Sequence, residues 1–137
     1  MKITKQIAEG MALIAYACTQ TDGGVTVNAN FERPTDGYVI ALDGHQMDVR
    51  ADMLTEQELV EYIEEHKSLL EDGFYLGVWV DNSSFPGPTY NHKTAYIDIC
   101  MVAHTDQFEA ILLGSINKQR TIYHVKSKQV IAVNKPL

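Results

Sequence analysis

Phe74-Tyr75-Leu76-Gly77-Val78-Trp79-Val80 is an almost unbroken apolar and aromatic run, entered from Asp72-Gly73 and left through Asp81-Asn82. A short run of this kind, rich in Val and aromatic residues and bounded by turn formers, predicts a central strand. The stretch 95–103, with Tyr96, Ile97, Ile99, Met101 and Val102, predicts a second strand of the same type.

Working outward from this pair, the segments on either side carry helical and shorter strand signals. Ile3, Ile7, Met11 and Ile14 recur every three or four residues and predict an amphipathic helix over 3–18, stopped by Asp22-Gly23-Gly24. Lys2 and Lys5 before the apolar run 11–18 imitate a short signal segment, but Glu9 and Tyr16 suit one badly. Strands are expected near 25–28 and 37–42, joined as a hairpin through the turn at 30–34. Thr55 and Glu58 form a Thr-x-x-Glu capping box, and Leu54 and Leu59 stand at staple positions, so a helix is expected over 55–70. On it Leu59, Tyr62, Ile63, His66, Leu69 and Leu70 share one arc, while Glu58, Glu61, Glu65 and Asp72 fall opposite. Thr105 is expected to cap a helix over 106–116, whose middle, Ala110-Ile111-Leu112-Leu113, is apolar on every side and suggests burial between layers or at a subunit interface. A closing hairpin is expected from 121–125 and 129–133 around Lys126-Ser127-Lys128.

Strands therefore come in pairs between helices rather than in strict alternation. That order predicts an α+β fold: a single domain over 1–137 with an antiparallel or mixed sheet of about five to six strands packed with two to three helices. The 137-residue length suits one core, and 45% apolar with 21% charged residues is an ordinary globular composition.

Charge is sorted along the chain. Residues 36–81 carry twelve Asp and Glu against Arg50 and Lys67, whereas Lys118, Arg120, Lys126, Lys128 and Lys135 follow Glu109 with no acid among them. Such a dipolar surface bears on partner attraction rather than on the fold. The net charge of −7 disfavours direct nucleic acid binding. No stretch approaches the apolar length of a membrane span, and the isolated Cys18 and Cys100, both in apolar runs, fit a reducing, cytoplasmic setting.

No motif names a reaction. The five histidines, His45, His66, His92, His104 and His124, lack metal-ligand spacing, although folding can bring His104 and His124 together. Asp43, His45, Asp48 and Asp52 crowd one segment without the order of a calcium loop. No nucleophile elbow or phosphate-binding glycine loop occurs, so no catalytic residue, metal or cofactor is assigned. The segment 82–93, Asn-Ser-Ser-Phe-Pro-Gly-Pro-Thr-Tyr-Asn-His-Lys, is long for a link between adjacent strands. Its Phe85, Tyr90 and His92 offer aromatic and hydrogen-bonding contacts to a ligand or partner.

Several pieces carry a resemblance: Gly23-Gly24-Val25-Thr26-Val27, Pro34-Thr35-Asp36-Gly37-Tyr38-Val39, the run from Gly73 to Asp81, Tyr96-Ile97-Asp98-Ile99, and the tail from Glu109-Ala110 through Gly114, Asn117 and Gln119 to Ile122-Tyr123. In these the chain resembles a group of small proteins of unknown function from bacteriophages and other mobile elements, over about 110 residues. The resemblance implies an accessory protein acting inside a host cell and brings no catalytic residues. The Pro-rich link departs from the group, where a short turn is usual. Trp79, Asp81, Tyr96 and Asp98 are shared positions, read first as strand packing.

Two functional expectations follow. One is a non-enzymatic module, with an anti-defence or host-modulating role, that binds a host protein with a basic surface through the acidic face of Glu58, Glu61, Glu65 and Asp72. The alternative is a small-molecule, nucleotide-like binding or sequestering protein, its pocket near the 82–93 loop formed by Trp79, Asp81, Phe85, Tyr90, His92 and Tyr96, with a homo-oligomer as a means of completing it. An enzyme, leaning on Asp81, Asp98, His92 and His104, is the third.

Overall fold

A computed structural model describes residues 2–81 and 93–133. The central pair is β4 (Tyr75–Asp81) and β5 (Thr94–Ala103), antiparallel from Tyr75↔Cys100 to Asp81↔Thr94. Around it run β1 (Gly24–Val27), β2 (Tyr38–Ala41), β3 (Met47–Arg50), β6 (Thr121–His124) and β7 (Gln129–Ala132). The lateral order is β1-β4-β5-β2-β6-β7, every pair is antiparallel, and β3 also pairs with β5. The fold is α+β, as the strand pairing predicts, and the described residues form a seventh strand beyond the expected five to six and four α-helices beyond the expected two to three.

The expected hairpin of β1 and β2 does not form: β1 pairs with β4, and β2 lies between β5 and β6. The connection 28–37 is long enough to carry the chain past β4 and β5, and the turn near Asn30 serves local bonds, with Asn28 Oδ1 accepting from the amides of Asn30 and Glu32 at 3.0 and 2.9 Å. The unexpected strand is β3. It is short, alternating Met47, Asp48, Val49, Arg50 between half-buried and exposed, and its Asp and Arg mask the strand signal.

The helices sit on one face. α1 (Lys5–Thr21) starts where Thr4 accepts from the Ile7 amide at 3.2 Å, and it buries Ala8, Met11, Ala12, Ala15 and Cys18. α2 (Glu56–Glu65) starts at the anticipated box, with Thr55 Oγ1 accepting from the Glu58 amide at 3.1 Å and donating to Glu58 Oε1 at 3.3 Å. It buries Leu59, Tyr62 and Ile63 against Val25, Val27, Leu76, Val78, Ala95, Ile97 and Ile99 of the sheet. Each large aliphatic side chain so buried contributes about 2 kcal/mol.

The single helix expected over 55–70 is in fact two. His66 leaves helical geometry at φ −107°, ψ 18°, and α3 (Lys67–Glu71) follows. The break is held by the His66 side chain, whose Nδ1 lies 2.9 Å from the Tyr62 carbonyl and whose ring stacks on Tyr62 at 4.1 Å. α4 (Gln107–Ile116) is capped by Asp106, which accepts from the Glu109 amide at 2.8 Å, not by the expected Thr105, which instead donates to the Glu109 carboxylate. It packs Ala110 on Tyr38, Ile40, Ala103, Ile122 and Val133, extending the core along the same face. Burial of this helix between layers does not occur within the single chain, because Phe108, Leu112 and Ile116 are exposed. Among the described residues no helix is long and apolar enough to cross a membrane.

Candidate functional site

Side chains alternate along a strand, so the residues between those of the core point to the face without helices. On β5 these are Tyr96, Asp98 and Cys100, and across from them stand Trp79, Gly77 and Tyr75 of β4. On the other side of β5 the ladder is interrupted. β2 ends at Ala41↔Cys100, β3 begins at Met47↔Ile97, and the chain between makes an excursion opposite Asp98. The excursion is pinned from both sides of the sheet. Tyr62 donates its hydroxyl to the His45 carbonyl at 2.6 Å, with the His45 ring edge-on to His66 at 5.2 Å. The Asp43 amide donates to Asn117 Oδ1 at 3.3 Å, and its carboxylate makes an exposed ion pair with Lys118 at 3.7 Å.

This break lets the sheet curl. Trp79 of β4 and Tyr123 of β6 are separated by β5 and β2, three strand spacings or about 14 Å in a flat sheet. Their ring centroids are 5.5 Å apart, so the strands bend toward each other and the face opposite the described helices is concave. One glycine makes room for the indole and another for the Cys100 thiol. A Cβ on Gly24 would lie 2.9 Å from Trp79 Cε3, and one on Gly77 would lie 2.7 Å from Cys100 Sγ and 3.7 Å from Trp79 Nε1.

The concavity encloses about 880 Å³, a ligand-sized volume. Trp79, Tyr96 and Tyr123 supply aromatic surface, Asp98 and Cys100 the floor, and Lys118 and Arg120, from the connection between α4 and β6, a basic end. Asp98 is only 7% exposed, and among the described residues its Oδ1 has no hydrogen-bond partner. Burial first, and then the charge of Asp48 on β3, push its carboxyl up from an ordinary 3.8 to about 6. Burial, with Asp98 adding to it, raises the Cys100 thiol well above its usual range, so it stays protonated and is a poor nucleophile. Burial likewise raises the Tyr62 phenol, which is held as a donor to His45.

Of the expected pocket residues, Trp79, Asp81 and Tyr96 do line this cavity. Phe85, Tyr90 and His92, with most of the 82–93 loop, lie outside the described residues. The expected acidic face is divided: Glu61 and Glu65 join Glu9, Glu56 and Glu64 along a groove between α1 and α2, Glu58 is turned into its cap, and Asp72 sits apart at the end of α3. His104 and His124 both come near the start of β2. His124 stacks on Tyr38 at 4.6 Å, and a Cβ on Gly37 would lie 3.1 Å from His104 Cε1. Among the described residues no three His, Cys, Asp or Glu side chains gather as a metal site.

The sequence reads Asp98 first as strand packing and otherwise as an enzyme candidate, places Lys118 and Arg120 only in a basic tail, and gives Tyr123 no part in a site. One signal was present, an acid at an inward-alternating position of an otherwise apolar strand, but its lack of a partner is visible only in the fold. The site offers a buried acceptor, stacking surface and a cationic end. Among the described residues it does not set a nucleophile beside a base. Comparison of the chain with protein-family models, curated proteins and solved structures finds no match.

Proposed function

We propose that this protein binds or sequesters a small, nucleotide-like molecule on the concave face of its sheet, without chemical conversion. The observation that carries the reading is Asp98, buried at an aromatic-walled cavity with its Oδ1 left without a donor among the described residues. A buried acceptor without a donor is costly to a fold, and a ligand N–H supplies what the protein withholds. Trp79, Tyr96 and Tyr123 suit a flat ring, while Lys118 and Arg120 suit an anionic group.

Trp79 is the sole tryptophan and lines the cavity, so it reports directly on occupancy. Titration with a panel of nucleotides, nucleosides and aromatic amines is expected to change its fluorescence saturably, and Asp98→Asn is expected to weaken the response at least tenfold. A flat response across the panel contradicts the reading.

A second reading, capture of a host protein with a basic surface, is favoured by the acidic groove between α1 and α2. Its test is the triple change Glu61→Gln, Glu64→Gln and Glu65→Gln, which should abolish salt-dependent partner capture; capture that persists unchanged removes it.

A further inference from the structure

We infer, on the strength of the pocket reading, that the ligand meets Asp98 through an edge carrying two adjacent N–H donors, as a guanine base does, and directs its phosphate toward Arg120. An ionised carboxylate accepts and cannot donate. The edge presented to it must therefore donate, and two side-by-side N–H groups match its two oxygens in the bidentate manner that gives the strongest such contacts. Guanine offers N1–H and the exocyclic amine together. Adenine and cytosine place a ring-nitrogen lone pair beside their amine, which would face the carboxylate. Hypoxanthine keeps N1–H but loses the amine. Uracil presents one N–H between two carbonyl oxygens.

The surroundings sharpen the choice. Asp98 lines the cavity with only 7% of its surface exposed, so a poorly matched edge gains little from solvent, and sites with buried polar groups reject analogues that leave them unpaired. The indole of Trp79 is seated over Gly24 and Gly77 and contacts Tyr123, providing a stacking surface beside the carboxylate. At the basic end Arg120 makes no ion pair among the described residues, and Lys118 has only its exposed pair with Asp43, which a phosphate can replace.

The test is calorimetric titration of the unaltered protein at pH 7.5 with GMP, IMP, AMP, CMP, UMP and guanosine, repeated with Arg120→Ala. GMP is expected to bind tightest, with IMP weaker by about tenfold and AMP, CMP and UMP by more. Arg120→Ala should weaken GMP about tenfold and leave guanosine unchanged. If AMP, CMP or UMP binds as tightly as GMP, the edge inference is overturned while the pocket reading stands. If guanosine loses as much as GMP in Arg120→Ala, the assigned phosphate direction is overturned. If no compound binds, both the inference and the pocket reading fall. The base comparison needs no variant, so misfolding of a mutant cannot obscure it.

Discussion

Asp98 is held at a cost that pH makes visible. Its carboxyl is raised in the folded chain from 3.8 to about 6, so the folded state binds the proton more tightly than the unfolded chain. The associated stability is fully present below pH 3.8 and is lost as pH rises through about 6, a difference of about 3 kcal/mol. Asp98→Asn removes the charge and should raise unfolding stability at pH 7.5 by about 1 to 3 kcal/mol, with the gain vanishing near pH 4; urea melts at the two pH values measure it. A gain independent of pH would mean that the charge is not what costs. Gly77 is the opposite case, a position where adding atoms is harmful. Gly77→Ala puts a Cβ against Cys100 Sγ and should cost about 1 to 3 kcal/mol while shifting Trp79 emission. Neither residue stands out in sequence: an aspartate and a glycine within apolar runs acquire their meaning from what lies across the strand.

Among the elements, those carried by local chemistry were the legible ones. The Thr55 to Glu58 box marks the start of α2 because capping bonds close within four residues, and Thr55→Ala should cost about 1 kcal/mol in an unfolding titration. The β4–β5 ladder and the closing β6–β7 hairpin were legible for a similar reason, since neighbours in sequence pair in space. The end of α2 was not, because the break at His66 depends on its ring meeting Tyr62 and His45. The same cluster positions the excursion beside Asp98. Tyr62→Phe removes the bond to the His45 carbonyl, and amide hydrogen exchange across 43–46 should accelerate while α1 stays protected. On α4, Phe108 is 79% exposed, so Phe108→Ser should change stability by no more than about 0.5 kcal/mol. A larger loss would place that ring in a contact outside the single chain.

At the scale of the molecule, the order of elements, with strands in pairs between helices, correctly assigned an α+β class. It did not say that α1, α2 and α4 would all take the same face and leave the other concave. That outcome depends on β2 and β3 sharing one side of β5, a non-local pairing with no signature in either strand. The candidate site was half legible for the same reason. Trp79, Asp81 and Tyr96 come from the two obvious strands, whereas Tyr123, Lys118 and Arg120 arrive from a distant part of the chain when the sheet curls. The most direct test of a ligand site on this face is a carboxyl-carbon NMR titration of Asp98, in the free protein and with saturating GMP. The free protein should titrate near pH 6, and the ligand should move that midpoint downward, because N–H donors stabilise the charged form. A free midpoint in the ordinary carboxylate range, unmoved by the nucleotide, would contradict the account.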